Sequence, residues 1–430
     1  KTEDGWVTPF FTVMLVAFLA MAGFAVDVAN VMSQRTLLQA TADSSAHGAI
    51  LYRKVEPEAN AKARAIGIAE LNMPPSAFGN VVREQDIVFG QWNASTNTFT
   101  PSANSRDTVI VTAQRRRETD NSVPLYLLQV VGLDAWNISA VAIFTANKHP
   151  CFFNGVLANE VVAFQSNGVF HRDFCIHAND YVSLRQNNTF MPGSIVSMPD
   201  PNRLSIPSSG MDGNTGLAEA LRAGSIDLGV VRNLSNVIEG LRVGNASILP
   251  DYITGMATVQ VNLNQVNNST FQRGRVYDVR CNGNNSTLTL TSGMNLTEVV
   301  LTTNCNIQLG NGATIRDSMI ATTSTSATSI SGTAGSGAQA TVGRACAPGP
   351  GTQVLTLGGM RFPAKLIVNG GQFMAAGSIN FASQGTIEGS GVSVIAGKNV
   401  DWSSNADMSV QYCDQEFDNH LSETLIRMVN

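Results

Sequence analysis

Charge is scarce in this chain. Only 14% of its 430 residues are Asp, Glu, Lys or Arg, and the formal net charge is −5. No basic stripe runs through it. Arg115-Arg116-Arg117 is a lone triplet of the kind found in solvated loops, so nucleic acid is not an expected partner. Cysteine is absent until position 151, and no two of the later six form a C-x-x-C pair. There is no G-x-G-x-x-G opening a helix after a strand, no G-x-x-x-x-G-K-[ST], no H-E-x-x-H and no G-x-S-x-G. No catalytic centre, cofactor or metal is expected from these patterns. What the chain does have is 38 glycines among many Ser, Thr and Asn, a composition that points to turn-rich β structure.

The stretch Val7 to Val26 carries no charged residue. A helix of that length spans the hydrocarbon core of a bilayer, about 30 Å thick. The run exceeds the usual 7–15 residues of a secretory signal core. Phe10, Phe11, Leu15, Phe18, Leu19 and Phe24 are its candidate membrane and helix-packing residues. Asp27 closes it, at the membrane boundary or inside a bundle, where it needs a partner such as Arg35. The apolar pattern continues on one side through Val28, Val31, Leu38, Ala42 and Ala49. Unbroken from Pro9 to Tyr52, the helix is a rod of roughly 66 Å. The first residue is Lys, so either a leader has been removed or earlier residues precede it.

Glu56-Pro57-Glu58 breaks the rod and starts a second helix, whose apolar side is Ala61, Ala65, Ile66 and Ala69 and whose stop is Asn72-Met73-Pro74-Pro75. Strands are expected over 87–92, 109–113 and 138–144, with a loop and short buried helix over 121–131. These segments make a small α+β module over 55–148.

The same order of segments resembles Tad (tight adherence, Flp-type) pilus-assembly proteins of the TadE/TadG-like kind, over about residues 3–146. The matching stretches are E-D-G (3–5), G-F-A-V-D-V (23–28), R-T-L-L-Q-A-T-A-D-S-S-A (35–46), V-F-G-Q-W (88–92), V-I-V-T-A (109–113), V-G-L-D (131–134) and N-I-S-A-V-A-I-F (137–144). The resemblance implies a pilin-like membrane protein of a secretion and adhesion machine. Its helix would pack in the membrane or a filament core, against lipid, copies of itself or other pilin-like helices. Prepilin-type proteins often carry Glu at the fifth mature position; here it is Gly5, which argues against prepilin processing at Lys1.

Beyond residue 148 six nonapeptides align without gaps: 162–170, 182–190, 288–296, 307–315, 379–387 and 400–408. Each reads apolar-any-apolar, then polar or glycine turn residues, then apolar at the ninth place, and neighbours are offset by 20, 19 and 21 residues. One rung of a β-solenoid needs that pattern, and rungs too thin to bury their own apolar face must stack. The expected solenoid covers 149–415, with insertions at about 199–270 and 321–352. The second insertion is either a long surface loop or extra rungs. Residues 416–430 are expected to cap the solenoid, with a terminal helix over Leu421 to Val429. Cys151, Cys175, Cys281, Cys305, Cys346 and Cys413 are disulfide candidates in an oxidising compartment; fifteen connectivities are open, and pairing in sequence order is the expectation.

Three clusters invite a chemical role. His171, Asp173, Cys175 and His177 have zinc-ligand chemistry, but Cys175 is a disulfide candidate. Asp212-Gly213-Asn214 lacks the later acids of a calcium loop. Asp401 and Asp407 are an acid pair on a fold that often handles polysaccharides. Asn-x-Ser/Thr at Asn93, Asn137, Asn233 and Asn245 follows from composition. The expected fold is therefore a long N-terminal transmembrane helix (1–54), a small α+β pilin-like module and an all-β solenoid, or parallel β-helix. The expected function is structural: a component of a bacterial Tad-like pilus or surface filament, with a part in adhesion. It would sit in the inner membrane as a precursor, with the bulk periplasmic or extracellular. The alternatives are a membrane-tethered β-helix that binds or cleaves surface polysaccharide, and a non-filamentous envelope scaffold of the Tad machine.

Overall fold

Helix α1 runs unbroken from Val7 to Arg53. The computed structural model describes residues 7–53, 56–93, 96–103, 105–148, 150–245, 248–283, 286–333, 340–344, 350–363, 366–381, 387–388, 391–403, 407–408, 421 and 424–428. The chain divides into two units, one of residues 1–147 with 424–430 and one of residues 148–423.

In the first unit α1 is followed by α2 (Glu58–Asn72), entered at Pro57 and ended before Pro74 as the sequence predicts. Both pack on a five-stranded sheet of β1 (Ile87–Asn93), β2 (Thr98–Pro101), β3 (Thr108–Arg115), β4 (Ile138–Lys148) and β5 (Thr424–Met428), in the order β2-β1-β3-β4-β5. The pairs β1–β2, β1–β3 and β3–β4 are antiparallel. Alternation puts Val109, Val111 and Ala113 of β3 and Ala140, Ala142 and Phe144 of β4 on one buried face. Against it lie Leu38, Ala42, Ala46 and Ala49 of α1 and Ala61, Ala65 and Ala69 of α2. The helix contacts are nearly all alanine because the backbones approach closely. A Cβ on Gly48 would lie 2.2 Å from Ile68 Cδ1.

The last strand corrects the sequence reading. Residues 424–428 are not part of a helix capping the solenoid; they form β5, hydrogen-bonded beside β4, with Ile426 against the first unit's core. A short apolar segment fits helix and strand periods alike, and the open edge of β4 decides between them. The remainder of the expected cap up to residue 420 lies outside the described residues. In sequence, therefore, the whole second unit is inserted between two neighbouring strands of one sheet.

The second unit is a parallel β-solenoid. All six nonapeptides form pairs of strands, from 161–164 with 169–170 to 400–402 with 407–408. Asn167, Asn187 and Gly312 sit in left-handed turn conformations between such strands (φ 67°, 64° and 72°). A third strand per rung, unrecognised from sequence, forms an 11-stranded parallel sheet. The segment 321–352 is a further rung, with strands Ile330–Gly332 and Ala340–Gly343 paired on both sides.

The order of rungs in space differs from their order in sequence. The first rung, at Gly155–Ala158, pairs on one side with Cys175–Ala178, which leads on to Ile195–Met198 and Leu221–Ala223. There the stack ends. The chain then crosses to the opposite end of the sheet and restarts at Gly255–Asn262. Six further strands return toward the middle, and the last, Val392–Ala396, pairs with the other side of Gly155–Ala158. Eleven strands at a spacing of 4.8 Å make that crossing about 48 Å long. The crossing residues cover the sheet's outer face. Helix α3 (Leu234–Val243) and Leu228, Val231 and Ile253 bury Leu157, Ile395, Met374, Leu355, Val300 and Val276. The strands between the two ends of this sheet are accordingly buried on both faces, whereas those of the 8-stranded sheet alternate. The 199–270 segment, expected to be an insertion, thus supplies both end strands of the longest sheet and the cover of its outer face.

Inside, aromatic rings stack across the closing junction. Phe164 of the first rung stacks on Trp402 of the last (5.6 Å between centroids), Trp402 on Phe381 (4.1 Å) and Phe381 on Phe362 (5.2 Å). Two disulfides, Cys151–Cys175 and Cys281–Cys305, join residues 24 apart with Cα atoms at 5.0 and 5.5 Å. They follow sequence order; Cys346 and Cys413 lie outside the described residues.

Two outcomes follow from this packing. Trp402→Ala removes the ring that bridges first and last rungs and lowers the second unit's unfolding free energy by about 3–5 kcal/mol, read from urea denaturation. Replacing Cys281 and Cys305 together by Ala frees a loop of some 24 residues and costs about 3 kcal/mol in the same measurement.

Candidate assembly site on the N-terminal helix

Helix α1 has two surfaces of opposite character. Over its first five turns Phe10, Phe11, Leu15, Phe18 and Phe24 are each more than half exposed. The side chain of Leu19 lies outside the described residues. This is the one helix among the described residues long and apolar enough to cross a membrane. Further along, Gly23, Asp27, Val31, Leu38, Ala42 and Ala49 are buried. The spacings of four and seven residues put them on one face.

Asp27 is the pivot between the two surfaces. Its side chain is fully buried, and its carboxylate accepts three backbone hydrogen bonds: Tyr126 N–H to Oδ1 at 2.8 Å, Leu127 N–H to Oδ2 at 3.0 Å and Leu128 N–H to Oδ2 at 2.8 Å. These amides precede and begin the 3-10 turn Leu128–Val131, so the carboxylate satisfies donors that the turn leaves free. The sequence reading offered Arg35 as its partner; Arg35 is exposed and the backbone of 126–128 takes that place. One turn earlier, Gly23 lets this loop touch the helix: a Cβ there would lie 2.8 Å from Leu127 Cβ. Val31 packs with Val123, Leu125 and Leu128.

More polar ties follow along the rod. Arg115 of β3 gives Nη1–H to Gln34 Oε1 (2.8 Å) and Nε–H to the Asn121 carbonyl (2.8 Å), and its guanidinium lies over the Phe78 ring. Burial pulls the Arg115 pKa down, while Tyr126 works in the opposite sense. Gln39 Nε2–H donates to the Val141 carbonyl at 3.1 Å. Near the helix's end Arg53 Nη2–H reaches the Ala103 carbonyl at 3.0 Å. These ties fix one half of the rod in a folded head and leave the other half apolar and bare.

The other clusters singled out in the sequence are placed as follows. Cys175 is bonded to Cys151. His177 is buried on the outer face of the long sheet, with Nδ1 2.7 Å from Ser197 Oγ and Nε2 accepting the Ile226 N–H at 3.2 Å. Together with Asn179, which gives Nδ2–H to the Ile226 carbonyl (2.8 Å), it holds the start of the crossing chain. No group of three His, Cys, Asp or Glu that could hold a metal occurs among the described residues. Asp212 lies in a 3-10 turn, Gly210–Gly213. Asp401 accepts from Ser403 Oγ at 3.1 Å, and the side chain of Asp407 lies outside the described residues. The loop and short helix expected over 121–131 are present, with the 3-10 turn at Leu128–Val131; what residue order did not reveal is that the amides of 126–128 receive Asp27.

A bare apolar helix is rooted in an α+β head, and a long parallel solenoid is inserted in sequence before the head's last strand. Family comparisons find pilus-assembly domains in the helix and head. A TadE/G-like Flp pilus-assembly family matches residues 5–62 and a Tad-like Flp pilus-assembly family matches 40–143. The chain belongs to the family described as Domain of unknown function (DUF7867), which matches residues 155–414 and so takes in the solenoid. Neither a curated protein nor a solved structure matches the chain.

Asp27→Ala leaves three amides without their acceptor and destabilises the first unit by about 3 kcal/mol. Hydrogen exchange of Tyr126, Leu127 and Leu128 accelerates in the detergent-solubilised chain, and Asp27→Asn, which keeps one acceptor oxygen, falls between the two.

Proposed function

We propose that the protein is a structural, non-catalytic component of a Tad-like pilus or surface filament. Helix α1 first holds the chain in the inner membrane. It then buries its apolar half among copies of itself or other pilin-like helices, and the solenoid is displayed on the outside with a role in adhesion. The observation that carries this reading is the division of α1. Phe10 to Val26 present an apolar surface that the rest of the first unit leaves largely uncovered, and the continuation from Asp27 is fastened into a Tad-type head. Exposed apolar area on that scale requires lipid or other helices to cover it.

Composition of purified surface fibres tests the proposal. The expected result is that the chain is a repeating subunit of the fibre, and that Phe11→Asp with Phe18→Asp removes it from fibres. Recovery of the wild-type chain only as single copies in the inner membrane would overturn the filament reading in favour of an envelope scaffold.

A further inference from the structure

The loop that Asp27 holds in place has an outer side as well as an inner one. Leu125 and Leu128 point into the first unit and are buried. Tyr126, Val130, Val131 and Leu133 point away and are 63%, 64%, 47% and 45% exposed. With Leu127 they form an apolar patch on a segment that has no charged residue from 125 to 133. The patch is not free to move off the helix. Leu127 sits against Gly23, and the amides of 126–128 are tied to Asp27. Its level is therefore that of the final turn of the apolar run, beside Phe24 and Val26, which are also exposed.

We propose that residues 125–133 are a second membrane contact, an interfacial foot that enters the boundary between headgroups and acyl chains beside the spanning helix. Lipid is the occupant the observations favour because the patch is continuous with the bare surface of α1. It also reaches about one helical turn, some 5–6 Å, below Asp27 along the axis, which is the depth at which amphipathic surface segments lie. Tyr126 supplies the aromatic, half-polar side chain that such boundaries favour. Asp27 makes the arrangement tolerable. Its charge would be costly at that depth with no partner, and three amide donors surround it. In return it satisfies three backbone N–H groups that would otherwise face an environment poor in water. Past the foot the chain turns polar at once. Asp134 pairs with Arg117 and is held below the usual carboxylate range, first by its own backbone N–H and then by Arg117. That ion pair marks the upper edge of the contact.

The inference rests on the reading of α1 as a membrane helix, so the test reports the two separately. The full chain is reconstituted in phosphatidylcholine–phosphatidylglycerol vesicles with and without brominated acyl chains. Phe18→Trp reports the span, Val130→Trp the foot and Val141→Trp a site further along the rod, each read as the emission added to that of the parent chain. The expected result is that bromolipid removes most of the added emission at 18 and at 130 and little at 141. Aqueous acrylamide should act in the reverse order. Adding Asp27→Ala to Val130→Trp should restore much of the lost emission, because the foot is then unseated while the span stays in place. If position 18 is quenched by lipid but 130 only by acrylamide, the loop lies in water and the foot is wrong, with the anchor intact. If 130 is shielded from both quenchers, another protein surface covers the patch and lipid is wrong as its occupant. If 18 itself escapes the lipid quencher, the anchor fails and takes the foot with it.

Discussion

The pairing of Val392–Ala396 with Gly155–Ala158 is the contact on which the second unit depends. Without it the solenoid is two stacks, one built forward from the first rung and one built back from the far end, each with an unpaired apolar face. Closure joins them through backbone bonds such as Asn159 N–H to Ala396 O and Gln165 N–H to Trp402 O, at 3.0 and 3.1 Å, and through the Phe164–Trp402–Phe381 stack. The partners are separated by some 240 residues, as in the bond from Val161 N–H to Asn399 Oδ1. Bringing them together is therefore slow compared with forming any single rung.

The crossing segment follows from the same order. Once the chain has built the first stack outward it has to traverse the whole sheet, and the traverse lies on the sheet's outer face. Each step is fastened in turn. Asn179 and His177 hold Ile226, Val231 lies against Gly397, and the Arg242 carbonyl accepts from Thr258 Oγ1 at 2.8 Å where the next strand begins. Burying an outer face strands its polar residues, and they pair among themselves. Gln353 and Gln372 bond side chain to side chain at 3.4 Å, Gln372 reaches Ser393 at 3.4 Å, and the fully covered Asp278 meets Arg280 at 2.6 Å. A parallel sheet covered on both sides is the stable form of this architecture.

In the first unit one helix carries two kinds of surface. The residues that face outward change from phenylalanine and valine before Asp27 to a mixture after it, in which Ser33, Arg35 and Thr36 stand beside Met32, Leu37, Leu51 and Tyr52. Asp27 is placed where the change occurs, and its three amide donors let a carboxylate stay buried there. The alanine-lined contact between α1, α2 and the sheet then keeps the rod from sliding, since close backbone packing leaves few alternative registers.

Much of this was legible in residue order alone. The uncharged run at 7–26 dictates a span, the prolines at 57, 74 and 75 delimit α2, and period-two alternation marks β3 and β4. The nonapeptide rungs could be read because each carries its own turn residues and its own inward pattern, and the disulfides follow sequence order because their cysteines lie a little over one rung apart. Tertiary structure decided the rest. The outer strands between the two ends of the sheet are buried on both faces and mix polar with apolar residues, so they have no simple period to detect, and their identity depends on a crossing chain that covers them. The order of rungs in space, the pairing of last with first, and the return of β5 to the first sheet all involve partners hundreds of residues apart, for which no local pattern exists. Asp27 shows both limits in one residue: sequence located a carboxylate at the end of the apolar run, but only the fold supplied three backbone amides, 99 to 101 residues away, to receive it.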